Sequence, residues 1–259
     1  IDQIIKEKSG ITLQNIIGKT PSYAALIIND KLNQAFQTIC DNYSFNKLEK
    51  MMLLSLKDTI SKASFSITAK TALIIATTKG NVNVLNSKLS YIAKERVYLS
   101  ELGKQIKNFF GFINEPIIVS NACVSGVLAV AVAKRLIQNE FYDNAFIVGG
   151  DLISEFTLSG FKSFQAISDQ PCKPFSKYRN GITLGEAAAS LAITSNNNSD
   201  ETIQIIGDSS CNDANHISGP SRDGEGLYRS IQSALKEAEI SAETIDYISA
   251  HGTGTQYND

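Results

Sequence analysis

Histidine and cysteine are scarce and poorly placed for metal or disulfide chemistry: the 259 residues hold 2 histidines, His216 and His251, and 4 cysteines without a CxxC spacing. That inventory fits neither a disulfide framework nor a zinc site, so no metal is expected. No charge of one sign dominates either. With 24 basic and 26 acidic residues the net charge is -2, which excludes a global basic field for nucleic acid or anionic lipid. Apolar runs are interrupted before the roughly 20 residues a membrane span needs. The chain opens on IDQIIKEKSG, with no signal-like segment, so a cytoplasmic protein is expected. It also opens without Met, which implies a missing start. There is no GxGxxG or GK[ST] sequence and hence no phosphate loop. What is present, 43% hydrophobic and 19% charged residues, is ordinary for a globular chain able to bury a sizeable core.

The chain is organised around residues 116–133, PIIVSNACVSGVLAVAVA. Ile117, Ile118 and Val119 form a run of β-formers too short for a helix, followed by small and polar residues and then an Ala/Val/Leu series. This reads as strand, sharp turn, helix. Cys123 falls at the turn, where the N-terminal dipole of the following helix favours a thiolate. Free cysteine is among the most buried residue types, and that is the reading for Cys40, Cys172 and Cys211. Cys123 differs because Ala122, Ser125 and Gly126 leave room for a substrate to approach. The helix after it is apolar almost all round and is expected to be buried, which puts the thiol at the buried end of a central strand.

In chain order, residues 1–18 read as a short helix and a loop. Residues 30–61 read as two helices, the first presenting Leu32, Phe36 and Ile39, the second Leu48, Met51, Met52 and Leu56. Residues 71–77 read as a strand buried on both faces, and 99–110 as a helix. A third buried strand covers 145–149, with Gly149, Gly150 and Asp151 as a loop beside a site. The phenylalanines between Phe156 and Phe164 are assigned to core packing or an acyl-pocket wall. Lys173, Lys177 and Arg179 lie on a Pro-aromatic turn that reads as a solvated basic loop, and 187–193 as a strand. Residues 196–201, NNNSDE, form a polar linker. Beyond it come a strand at 203–206, an amphipathic helix at 224–239 and a strand at 245–249. Alternating strands and helices argue for a parallel or mixed sheet covered on both sides.

The final strand leads into His251-Gly252-Thr253-Gly254-Thr255. A histidine at the carboxyl end of a strand, before two glycines, stands where open α/β sheets keep reactive groups. Cysteine with histidine is the minimum set for acyl transfer through a thioester. For His216 the core reading and a site reading weigh about equally, and it is kept out of the catalytic set.

Together NACVSG, GFKSFQAIS, CKPFSKYRNGITLGEAA and HGTGTQYND resemble the β-ketoacyl synthase family of condensing enzymes, from Ser9 to Asp259. The resemblance implies an α/β, thiolase-like αβαβα fold. Residues 1–195 would form the N-terminal half with the nucleophile, and 196–259 the beginning of the C-terminal half. It implies a homodimer, or a heterodimer with a related synthase, with the strand before Cys123 near the interface. Cys123 matches the acyl-accepting nucleophile and His251 the first histidine of a Cys-His-His set. Thr253 and Thr255 match positions that contact the phosphopantetheine arm of acyl carrier protein, the expected partner, so no separate cofactor is needed. The reaction implied is a decarboxylative Claisen condensation of an acyl group on Cys123 with malonyl carrier protein. The N–H of Cys123 would stabilise the oxyanion, a contribution on the order of 3 kcal/mol.

Two residues depart from the family pattern: Asn121 replaces a usual Thr or Ser, and Gly185-Glu186-Ala187-Ala188 replaces GEGA. The second histidine, the active-site lysine and a Gly-rich oxyanion loop would lie beyond residue 259, so the chain reads as an incomplete piece of a larger enzyme. Two alternatives are a non-decarboxylating thiolase-fold acyltransferase and a catalytically silent partner subunit, the latter disfavoured by the presence of Cys123.

Overall fold

The structure, a computed structural model, describes residues 5–15, 21–41, 44–86, 92–196, 202–213, 221 and 223–259. It forms two compact units, one of Ile1–Phe164 with Thr183–Asn196 and the other of Gln165–Ile182 with Asn197–Asp259. Residues 165–182 thus group with the C-terminal segment rather than with the chain around them. The linker residues 197–201 and His216 lie outside the described residues.

The first unit holds a small sheet of β1 (Ile11–Gln14), β2 (Ser22–Ala25) and β6 (Leu184–Gly185), with β1 antiparallel and β6 parallel to β2. The expectation of a loop after Gly10 is corrected here. Ile11 to Gln14 pair antiparallel with Ser22 to Ala25, the next strand along the chain, which gives a four-residue run its ladder.

The main sheet has the order β4-β3-β5-β7, with β3 Thr71–Ala76, β4 Ile117–Val119, β5 Asn144–Asp151 and β7 Ala187–Thr194. It is parallel except for β7. All six residues of β3 are buried. Successive side chains point to opposite faces, so Leu73, Ile75, Phe146 and Val148 join one core, while Ala72, Ile74, Ala76, Ala145 and Ile147 join another. The first core is covered by α1 (Asn29–Gln37), α2 (Lys47–Lys62) and α3 (Leu99–Phe110). The second is covered by α4 (Ser125–Gln138), whose Ala129 and Ala133 are fully buried. This is a helix–sheet–helix sandwich. The small residues of α4 let that helix sit close to the sheet.

A capping box starts α2: the Asn46 side chain accepts from the Glu49 N–H, and Glu49 accepts from the Asn46 N–H. The same Glu49 carboxylate, fully buried, receives Asn81 at 2.8 Å and the guanidinium of Arg96, tying three segments together. Glu186, from the GEAA sequence, accepts from the Ile27 N–H at 2.9 Å and pairs with Lys47. It fastens β2 to α2.

Several sequence expectations are corrected. β4 is an edge strand rather than a central one. The helix α4 is buried on one side only, Val127 being 74% exposed, because apolar composition does not say what covers the second face. Phe156, Phe161 and Phe164, on and after α5 (Glu155–Ser163), are exposed instead of filling the core. Cys211 is exposed, and Cys40 and Cys172 are half-buried. Gly149, Gly150 and Asp151 are not a loop but the end of β5.

In the second unit, α6 (Glu225–Ala238) forms as expected. Residues 203–206 and 245–249 form no strand. Strand propensity alone does not make a strand, and among the described residues neither segment pairs with a neighbouring strand; Ile203, Tyr247 and Ile248 stay exposed. No helix among the described residues is long and apolar enough to cross a membrane.

Candidate active site

Parallel pairing aligns the carboxyl ends of three strands. Ala76 stands opposite Val119 on one side and Gly149 on the other, so the residues that follow β3 and β4 and those that end β5 share one edge. Cys123 lies just past that edge, in the 3₁₀ turn Ala122–Val124 that leads into α4. It is exposed, correcting the expectation of a buried thiol.

The turn is sharp, and Ala122 has φ +45°, a left-handed conformation costly for a residue with a Cβ. Ser125 holds it closed. Its Oγ accepts from the Asn121 N–H at 2.8 Å and donates to the Ala122 carbonyl at 2.7 Å, bracketing the two residues before the cysteine. Sequence reasoning valued Ser125 for its size. Its hydroxyl, four residues after the amide it caps, is the signal that was available.

The second unit carries the other sequence-predicted residues. His251 is exposed, while Thr253 and Thr255 are half-buried with hydroxyls 2.9 Å apart. Here the HGTGT and KPFSKYRNG motifs meet. The Gly181 N–H donates to the Gly254 carbonyl at 2.9 Å, and Arg179 Nε donates to the Thr255 carbonyl at 2.9 Å. Gly254 has φ +76°, and a Cβ there would stand 2.8 Å from the Gly181 oxygen, so both its backbone and its surroundings require glycine. Arg179 is thus an internal clamp, not simply part of a solvated loop.

Asp259 completes the clamp and was not singled out in the sequence. Its carboxylate accepts from the N–H groups of Thr253 and Gly254, both at 2.8 Å, and from the Phe175 N–H at 3.0 Å. Desolvation pushes its pKa up, but the Phe175 N–H, the Asn258 side chain and the Gly254 and Thr253 N–H groups outweigh it and hold the carboxyl well below the usual carboxylate range. A depressed folded-state pKa gives stabilisation that is complete above the unfolded value of about 4 and is lost as pH falls through the folded value. Amide exchange at Thr253 and Gly254 is therefore expected to show constant protection between about pH 5 and 8. Asp259→Asn should lose that protection throughout this range; wild-type protection in the variant would contradict this role.

No group of three or more His, Cys, Asp or Glu among the described residues could hold a metal ion.

Residues 29–198 match the family described as "Beta-ketoacyl synthase, N-terminal domain", and residues 203–259 match "Beta-ketoacyl synthase, C-terminal domain". A "3-oxoacyl-[acyl-carrier-protein] synthase 2" of Rhizobium meliloti (strain 1021) is 36% identical over 151 residues, which are 53% of this chain and 36% of that protein. One from Staphylococcus aureus is 32% identical over 150 residues, 53% of this chain and 37% of that protein. The matched part spans little more than a third of these curated relatives. Two solved structures share the fold. A ketosynthase (ApeO) in complex with its chain length factor (ApeC) from Xenorhabdus doucetiae has a TM-score of 0.76 at 24% identity, covering 96% of this chain and 66% of that one. The ishigamide ketosynthase/chain length factor has a TM-score of 0.82 at 23% identity, covering 100% of this chain and 70% of that one. The fold is therefore thiolase-like, and with the family descriptions covering residues 29–198 and 203–259, the chain belongs to the β-ketoacyl synthase family.

Proposed function

We propose that this chain carries the acyl-accepting part of a 3-oxoacyl-[acyl-carrier-protein] synthase. The observation that supports this most is the exposed thiol of Cys123 on a strained, clamped turn between β4 and α4. The Cys123 sulfur attacks the carbonyl carbon of an acyl thioester on acyl carrier protein. A new carbon–sulfur bond forms, the bond to the carrier breaks, and the carrier thiol leaves. Malonyl carrier protein then loses carbon dioxide, and its enolate carbon attacks the Cys123 thioester. The Cys123 carbon–sulfur bond breaks and a 3-oxoacyl carrier protein departs. His251 donates a hydrogen bond to the malonyl thioester oxygen as enolate charge develops. Thr253 and Thr255 meet the phosphopantetheine arm, their backbone already fixed by Asp259 and Arg179.

The partner surface follows from what the first unit leaves open. Among the described residues strand β4 has a free edge, and Val124 and Val127, 52% and 74% exposed, flank the beginning of α4. An apolar patch beside an unpaired edge favours a second copy of the chain or a related synthase.

Intact-mass measurement after incubation with acyl carrier protein thioesters of several lengths tests the proposal. An acyl increment on the wild-type chain and none on Cys123→Ala is expected. No increment on either would remove the nucleophile from the mechanism and favour a silent partner subunit.

A further inference from the structure

The carboxylate of Asp151, at the last position of β5, has no part in the mechanism above, yet it gathers four donors from three consecutive residues. Thr77 Oγ1 and Thr78 Oγ1 donate to it at 2.9 and 3.0 Å, the Thr78 N–H reaches both oxygens at 3.0 and 3.1 Å, and the Lys79 N–H lies at 3.3 Å. Two hydroxyls and two backbone amides converging on one carboxylate make a rigid knot, because charge-assisted hydrogen bonds are the strong ones. Thr77 is 1% exposed, and its hydroxyl also accepts the Gly80 N–H at 3.1 Å, which locks the turn internally.

This turn faces the nucleophile loop. The Thr77 N–H donates to the Val119 carbonyl at 3.2 Å, and Ser120 Oγ donates to the Thr78 carbonyl at 3.3 Å. From Ser120 the chain runs through Asn121 and the left-handed Ala122 to Cys123. Ser125 clamps that loop from the helix side, and the 77–79 turn supports it from the sheet side. A strained segment persists only where its surroundings over-determine it. Asp151 supplies the sheet-side half of that constraint.

We propose that Asp151 is a positioning residue for Cys123, acting through the 77–79 turn and the Ser120 hydroxyl that rests on it. This role rests on the reading of Cys123 as the nucleophile. In Asp151→Asn the size is kept, but one oxygen becomes an NH₂ that faces N–H and O–H donors, so the knot opens. Thr78→Val keeps shape and removes a single donor, which makes it the milder variant should Asp151→Asn fold poorly.

Two readouts on the whole chain decide the matter. Hydrogen exchange over residues 120–125 is expected to speed up about tenfold in Asp151→Asn, the equivalent of one lost hydrogen bond to a charged group, and less in Thr78→Val. Exchange over 190–194, beyond the Ala187 end of β7 that pairs with Asp151, should stay at the wild-type rate. The initial rate of acyl transfer from hexanoyl carrier protein to Cys123 should fall by up to about 10²-fold, the usual consequence of a misplaced reacting group. Unchanged protection over 120–125 in both variants would overturn the proposal, as would equal loss over 190–194, which would mark a general structural role. If the wild-type chain takes no acyl group, the nucleophile reading fails by itself, while the exchange result still decides whether Asp151 holds the loop.

Discussion

Arg96→Met is expected to cost about 3–5 kcal/mol of unfolding free energy, the range for removing one member of a buried charge pair. The reason is asymmetry of burial. Arg96 retains 16% side-chain exposure and could turn toward water if its partner were lost, whereas the Glu49 side chain has none. Deleting the cation strands an ionised carboxylate among Leu48, Met52 and Leu53, where solvation by water is unavailable. Asn81 and the Asn46 N–H remain as donors, but neither carries charge. Glu49→Gln should cost less, because an amide still accepts the Asn46 N–H and Arg96 can reach solvent. Urea unfolding at neutral pH gives both numbers. A cost below about 1 kcal/mol for Arg96→Met would mean that the pair is wet in solution and behaves like a surface salt bridge.

The second large effect concerns His251 and separates the two chemical stages. If His251 donates to the enolate oxygen, His251→Ala should lower condensation with malonyl carrier protein by about 10²–10³-fold, the usual result of deleting one such donor. Acylation of Cys123 in the same sample should stay near the wild-type rate, since that step builds no enolate. Carbon dioxide release and intact mass, followed together in the complete enzyme, resolve the stages. Equal loss in both would show that His251 instead acts on the thiol or on the fold, and no loss in either would remove it from the chemistry.

Much of the fold is legible in the sequence because local pattern and burial agree. The unbroken apolar run at 71–76 can only be a strand with two covered faces, and the spacing of Leu48, Met52 and Leu56 places one helical stripe on the core. The turn that carries Cys123 is legible for a similar reason: β-formers, small residues and a helix follow one another along the chain. Failures arise where the outcome depends on a partner segment rather than on the residues themselves. Residues 11–14 are a strand only because 22–25 lie beside them, while 203–206 and 245–249, with equal or greater apolar content, find no partner among the described residues. Exposure of Val127 and of the phenylalanines around α5 failed likewise, since composition reports the desire for burial and not its fulfilment.

The candidate site divides along the same line. By itself the sequence singled out Cys123 and His251 as candidate site residues and determined the strand, turn and helix that present the thiol, because these follow from residue chemistry and near-neighbour pattern. Only the tertiary structure decided what holds them. Asp151 reaches the 77–79 turn across 73 positions, and Asp259 reaches the Phe175 amide across 84. An aspartate reads the same in sequence whether solvated or knotted. The parallel register that brings three strand ends to one edge, and the fold that lays HGTGT against residues 174–181, decide which hydrogen bonds it makes, and that is a property of backbone geometry rather than of residue type.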